Sequence, residues 1–172
     1  AGMPAVEDGE QRNIVDAYAN YSHNFEGWSL AWGGGGSWTL SNGGQAPANN
    51  KGAAYQTAVN LTFGDFSVGV AGEYYKNSVG PNQDVWVVGG GAAYNLGAWT
   101  VGLQYSYSDF QLIGPHVDRR INYVVLTGKY DLGPGISLDA TAQYGWVNAD
   151  KADTGADGYQ SFGLGIGTAF EF

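Results

Sequence analysis

The sequence predicts an all-β fold: antiparallel strands in up-and-down order, each showing one side to lipid, as in a transmembrane β-barrel. Three observations point there. Apolar residues alternate with small or polar ones in segment after segment; connections alternate between tight turns and long polar loops; and aromatic residues bracket the segments at both ends.

The 172 residues fit one domain, or part of a larger one. With 29 glycines, 12 tyrosines, 6 tryptophans and only 13% charged residues, the chain lacks the Lys and Glu that dress the outside of a soluble all-β protein. No apolar run approaches the roughly 20 residues of a membrane-spanning helix, but barrel strands carry only half a hydrophobic signal each. There is no Cys, hence no disulfide framework and no thiolate metal site. A net charge of −9 and no basic patch argue against nucleic acid as a partner. Ala1 is not followed by a basic segment and an apolar core, so the expectation is a mature or cut chain from which any signal peptide has gone.

Alternation and turn chemistry together place about nine strands, at 12–24, 28–41, 52–63, 66–75, 84–95, 98–109, 119–131, 135–147 and 158–172, near the roughly 9–11 residues of a tilted spanning strand. The first alternates least cleanly, setting Val15, Ala17, Ala19 and Tyr21 against Asp16, Tyr18, Asn20 and Ser22. If it is a loop, eight strands remain and an intact small barrel becomes the alternative. The last is clean: Phe162, Leu164, Ile166, Phe170 and Phe172 point one way, and Ser161, Gly163, Gly165, Gly167, Ala169 and Glu171 the other.

Tight turns are expected at Phe25-Glu26-Gly27, Gly64-Asp65, Leu96-Gly97 and Leu132-Gly133-Pro134, where glycine supplies positive φ and Asp or Pro favours turning. Long connections fall at 42–51, 76–83, 110–118 and 148–157. Short turns at one end and long loops at the other match the periplasmic and extracellular ends of transmembrane barrels.

Trp28 and Trp38 bracket the second strand, Tyr55 and Phe63 the third, Phe66 and Tyr74 the fourth, Trp86 and Tyr94 the fifth, and Trp99 and Tyr107 the sixth. Each separation is even, so both rings share a face about 8–10 residues apart, roughly the 20–25 Å of a lipid-facing band. These ten are the candidate lipid-interface aromatics. The opposite face carries Ser29 and Thr39, Gln56, Asn60 and Thr62, Thr100 and Gln104, and Asp139 and Gln143. It is too poor in charge for the exterior of a soluble barrel and suits the wall of a wet lumen, so we assign it inward. Its many glycines leave space that a narrow eight-stranded interior, filled by side chains, does not have; a wider barrel does.

With the long connections extracellular, counting back from a descending last strand starts the first strand at the extracellular end. Intact barrels have an even strand number with both termini periplasmic. The expectation is therefore that residues 1–172 are the C-terminal portion of one barrel of about 16 strands, with 1–11 the remnant of an extracellular loop and 12–172 the strands. Two unpaired edges in lipid require the N-terminal part of the same barrel, expected as a separate chain.

Repetition of strand, tight turn, strand and polar loop, ending in Phe170-Glu171-Phe172, resembles the C-terminal half of the Gram-negative general-diffusion porins. Stretches such as Val15-Asp16-Ala17-Tyr18-Ala19-Asn20-Tyr21 and Gly163-Leu164-Gly165-Ile166-Gly167-Thr168-Ala169-Phe170 are similar to those of α-proteobacterial porins. The resemblance implies an outer-membrane homotrimer of 16-stranded barrels passing small hydrophilic solutes and ions without chemistry or cofactor. It implies Phe170 and Phe172 as part of the assembly signal, and a constriction between acidic residues of a third loop, outside this chain, and basic wall residues. Glu73, Lys129 and Asp139 are wall candidates, with the parity of the seventh strand left open. Arg119 and Arg120 sit near the outer mouth as rim or lipopolysaccharide contacts.

Other chemistries find little support. His23, near a periplasmic turn, and His116, in a long loop beside Pro115, lack a partnered Ser or clustered ligands, so no enzyme is expected. Asp150, Asp153 and Asp157 are spaced to gather Ca²⁺ but lack the twelve-residue loop pattern and a closing Glu, so solvated loop acids are the better reading. No Gly-Lys-Ser/Thr follows the glycine run 33–36, which excludes a phosphate loop. The competing function is a small eight-stranded barrel acting as a non-conducting anchor or surface-interaction protein.

Overall fold

The computed structural model describes residues 13–41, 52–76, 84–112, 117–149 and 158–170. Nine antiparallel strands form one sheet in strictly sequential order: β1 (Asn13–Phe25), β2 (Trp28–Ser41), β3 (Ala53–Phe63), β4 (Phe66–Lys76), β5 (Val85–Leu96), β6 (Trp99–Leu112), β7 (Val117–Gly133), β8 (Ile136–Ala149) and β9 (Gln160–Phe170). The sheet is open, with β1 and β9 at its edges.

Sequential order follows from the turns. Four connections, Glu26-Gly27, Gly64-Asp65, Gly97-Ala98 and Pro134-Gly135, are two residues long, and a two-residue link permits only an antiparallel neighbour. Each places a glycine at positive φ, with Gly27 at 84° and Gly97 at 61°, a backbone state that a side chain disfavours. All four lie at the same end of the sheet. Neighbouring hairpins are joined there by the Asn95 amide to the Asp65 carbonyl at 2.9 Å and the Asp131 amide to the Ala98 carbonyl at 2.8 Å.

The weakly alternating first segment is the strand that the sequence predicts, paired with β2 along its length from Phe25↔Trp28 to Asn13↔Ser41, so the alternative in which it is a loop and eight strands remain falls. Two boundaries differ from expectation. The third and fourth turns lie one to two residues later than counted, because β5 continues through Leu96 and β7 through Gly133, where the register shifts between Asp131 and Gly133. The last strand begins at Gln160 rather than 158, and 171–172 lie outside the described residues.

The described residues form no second layer. Among the described residues only Val85 and Val147 are buried hydrophobics, and no large side chain is fully buried. Val70 is 61% exposed, Leu103 56% and Ile166 89%. A soluble sandwich or barrel encloses such residues between facing surfaces; here they form an apolar exterior. No helix among the described residues is long and apolar enough to cross a membrane, which bears only on helices.

Candidate functional site

Partners directly across an antiparallel ladder share a face, so the register carries face assignment from strand to strand. Trp28, Phe63, Phe66, Tyr94 and Trp99 fall on one face near the tight turns, and Trp38, Tyr55, Tyr74, Trp86 and Tyr107 on the same face nearer the long connections. The rings form two ladders. Near the tight turns, Phe25 stacks on Trp28 at 4.0 Å, Trp28 lies 6.1 Å from Phe63, and Trp99 lies 4.5 Å from Tyr130. At the other end Trp38, Tyr55, Tyr74 and Trp86 follow one another at 5.8, 6.2 and 4.3 Å. Leu30, Leu61, Val68, Leu103 and Leu126 lie between them.

Several polar side chains on this oily face are matched to one another. Trp32 donates its indole N–H to Thr57 Oγ1 at 3.1 Å, and that hydroxyl donates onward to the Gly33 carbonyl at 3.3 Å. Tyr105 donates to Oδ1 of the buried Asn122 at 2.7 Å. Such matching fits a surface without water, where an unmatched group costs several kcal/mol.

The other face holds every wall candidate. Ser29 pairs with Thr62, Gln56 with Glu73, Asn60 with Gly69, Gln104 with Gly91, and Thr39 lies opposite Ile14. The parity of β7 is fixed by Thr100↔Lys129 and Lys129↔Asp139, which put all three on this face; Gln143 lies four residues further along β8 on the same face, opposite Val125. Tyr75 donates to Glu73 Oε2 at 2.6 Å, Ser137 to Asp139 Oδ2 at 3.4 Å, and Thr100 to Asn95 Oδ1 at 2.8 Å.

The polar face is less uniform than expected. Val85, Val87, Phe110, Ile121 and Val147 share it towards the long connections of β5–β8, and Tyr18, Tyr75 and Tyr123 lie on it too. Reading each strand by its dominant pattern passed over these residues; register brings them together. His23 lies on the oily face, with its ring centroid 6.3 Å from that of Tyr21 and 4.4 Å from that of Phe25. Arg119 faces the polar side and Arg120 the oily side, opposite Asp109. No group of three metal-ligating residues occurs among the described residues. His116, the loop acids Asp150, Asp153 and Asp157, and the terminal Phe172 lie outside the described residues, while Phe170 ends β9 on the oily face opposite Ile136.

The arrangement is a sheet with an oily, aromatic-banded side and a small-residue, hydroxyl- and amide-bearing side carrying isolated charges. It can separate lipid from water along one surface. A family model described as Gram-negative porin matches residues 3–167. Among solved structures, the fold is similar to outer-membrane expressed OmpT of Vibrio cholerae (TM-score 0.59, 14% identity, covering 93% of this chain and 56% of that one). It is also similar to OmpTdeltaL8, a loop L8 deletion mutant of the same Vibrio cholerae outer membrane protein (TM-score 0.56, 17% identity, 89% and 62% covered). The chain therefore spans 62% and 56% of the lengths of these two structures. No curated protein matches it.

Proposed function

The chain belongs to the Gram-negative porin family, a family of the bacterial outer membrane, and on that premise we propose that it forms part of the wall of a water-filled channel passing small hydrophilic solutes and ions by diffusion. The observation that carries this reading is the division of faces: Leu103 and Gln104 are neighbours in β6, and register sends one to the aromatic-banded side and the other to the hydroxyl and amide side. A polar face built of Gly, Ala, Ser and Thr keeps room for water, and its few charges bias the ions that pass. This reading asks for no nucleophile, cofactor or metal.

In this proposal the nine strands are the C-terminal portion of a barrel of about 16, of the general-diffusion type found in α-proteobacteria, assembling as a homotrimer. Support comes from the open sheet, whose edge strands need partners in lipid, and from its partial span of the similar barrels. Further strands of the same barrel close it; Phe170 and Phe172 serve assembly, and at the outer rim Arg120, on the oily side, meets lipopolysaccharide while Arg119 faces the channel mouth.

Single-channel recording of the assembled barrel in planar bilayers tests the function. Large, weakly selective conductance steps are expected. Silence from a sample shown to be fully assembled would leave the channel reading without support and favour an anchor.

A further inference from the structure

On the polar face, Tyr18, Tyr123 and Gln143 stand directly across the ladder from Gly35, Gly145 and Gly163. Each side chain lies down on its glycine. A Cβ on Gly145 would stand 2.5 Å from Tyr123 Cε1 and 2.7 Å from Cδ1, and one on Gly163 would stand 2.8 Å from Gln143 Nε2. At Gly35 an added Cβ would also strike the Ala17 carbonyl oxygen, so the backbone itself demands glycine there. Gly145 is different. The three atoms nearest to it would be side-chain atoms, those of Tyr123 and the Ser161 hydroxyl at 3.0 Å, so no backbone atom stands closer than 3.0 Å and the ring is the first obstacle to a methyl group.

Tyr123 is also the bulkiest group of its ladder row. Ala58, Ala71, Gly89, Ser106, Gly145 and Ser161 in that row are small, and Asn20 at its β1 end is the next largest. The Tyr18 hydroxyl is tied to Ser37 Oγ at 3.0 Å, whereas the Tyr123 hydroxyl has no hydrogen bond among the described residues. Contact with the bare glycine backbone is what holds its ring against the wall, the arrangement by which an aromatic shields a cross-strand glycine.

We infer that Gly145 is a seat for the Tyr123 ring and that this pair sets the bore of the channel at its level: seated, the ring adds little to the wall; unseated, it projects into the lumen. The inference rests on the channel reading above.

The test uses the complete assembled barrel as wild type, G145A, Y123A and the double variant. G145A is expected to lower single-channel conductance about 1.2- to 1.5-fold, and the double variant to restore it to at least the wild-type level. Y123A raises conductance by less than G145A lowers it, because a seated ring has little bore to give back. An unchanged G145A, an equal drop in the double variant, or a large rise in Y123A overturns the proposal. Unfolding in urea supplies a readout independent of conduction: Tyr123→Ala shifts the midpoint in the wild-type background and much less in G145A, and strictly additive shifts also overturn the seat. If G145A does not assemble, the Y123A conductance decides. An assembled wild type that never conducts, together with non-additive shifts, overturns the channel reading and leaves the seat standing.

Discussion

Trp38 donates its indole N–H to the Tyr55 hydroxyl across 2.9 Å, with the two rings 5.8 Å apart and inclined at 75°. Both press on Gly36, where a Cβ would stand 3.0 Å from an atom of each ring. The three residues act as one unit of the outer aromatic band: glycine lets the rings settle, and the hydroxyl satisfies a donor that lipid cannot. Tyr55→Phe keeps the ring and removes the acceptor, and is expected to cost about 1 kcal/mol. Urea unfolding in phospholipid vesicles measures it. The loss should shrink when Trp38→Phe has already removed the donor, with a coupling of about 0.5 kcal/mol or more.

The division of faces makes a sharper prediction at Leu103 and Gln104. Leu103 is more than half exposed on the oily face, between the aromatic bands, so Leu103→Arg is expected to destabilise the inserted barrel by about 2–4 kcal/mol, the cost of arginine near the bilayer midplane. Gln104→Arg, one position along, is expected to fold with little loss and to shift ion preference towards anions. Folding yield into vesicles and reversal potential check the pair. Equal destabilisation by the two would contradict the assignment of faces.

Much of this organisation is legible in the sequence because turn glycines, period-two alternation and bracketing aromatics are local features. What was not legible depends on register. In β7, Asn122 and Arg120 lie on the oily face while Val125 and Ile121 lie on the polar one, so alternation alone gave no parity; the pairing Thr100–Lys129–Asp139 gives it. The Tyr123 seat is hidden for a related reason. Counting out from a turn at Leu132-Gly133-Pro134 sets Tyr123 against Gln143; with the turn at Pro134-Gly135 and the shift between Asp131 and Gly133, it lies against Gly145. In that irregularity the Gly133 amide donates to Asp131 Oδ1 at 3.1 Å, a local bond that alternation cannot register.

Lys129 and Asp139 face each other across the β7–β8 ladder on the polar face, an opposite-charge pair that, in the proposed channel, would offset each other's field. Lys129→Ala is expected to leave Asp139 uncompensated and raise cation preference, and Asp139→Asn to move it the other way. Reversal potentials in a salt gradient measure both. The shifts should fade towards 1 M salt, where the screening length falls to about 3 Å. If neither variant moves the potential at low salt, the pair does not face the permeating ions.

The edge strands carry the last prediction. β1 and β9 each have one neighbour, so the far side of each presents a row of backbone donors and acceptors without a ladder partner among the described residues, while Leu164 and Ile166 on β9 are almost wholly exposed. In lipid each unmatched backbone group costs several kcal/mol, far more than the burial of one more side chain returns. Residues 13–170 refolded alone into vesicles are therefore expected not to reach a heat-modifiable, denaturant-resistant state, or to reach it only by pairing edges with another copy. Adding the remaining strands of the barrel should rescue assembly and protect the amides of β1 and β9 from hydrogen exchange. A monomeric, exchange-protected product from residues 13–170 alone would mean that the nine strands close on themselves, and the proposal of a larger barrel would then fail.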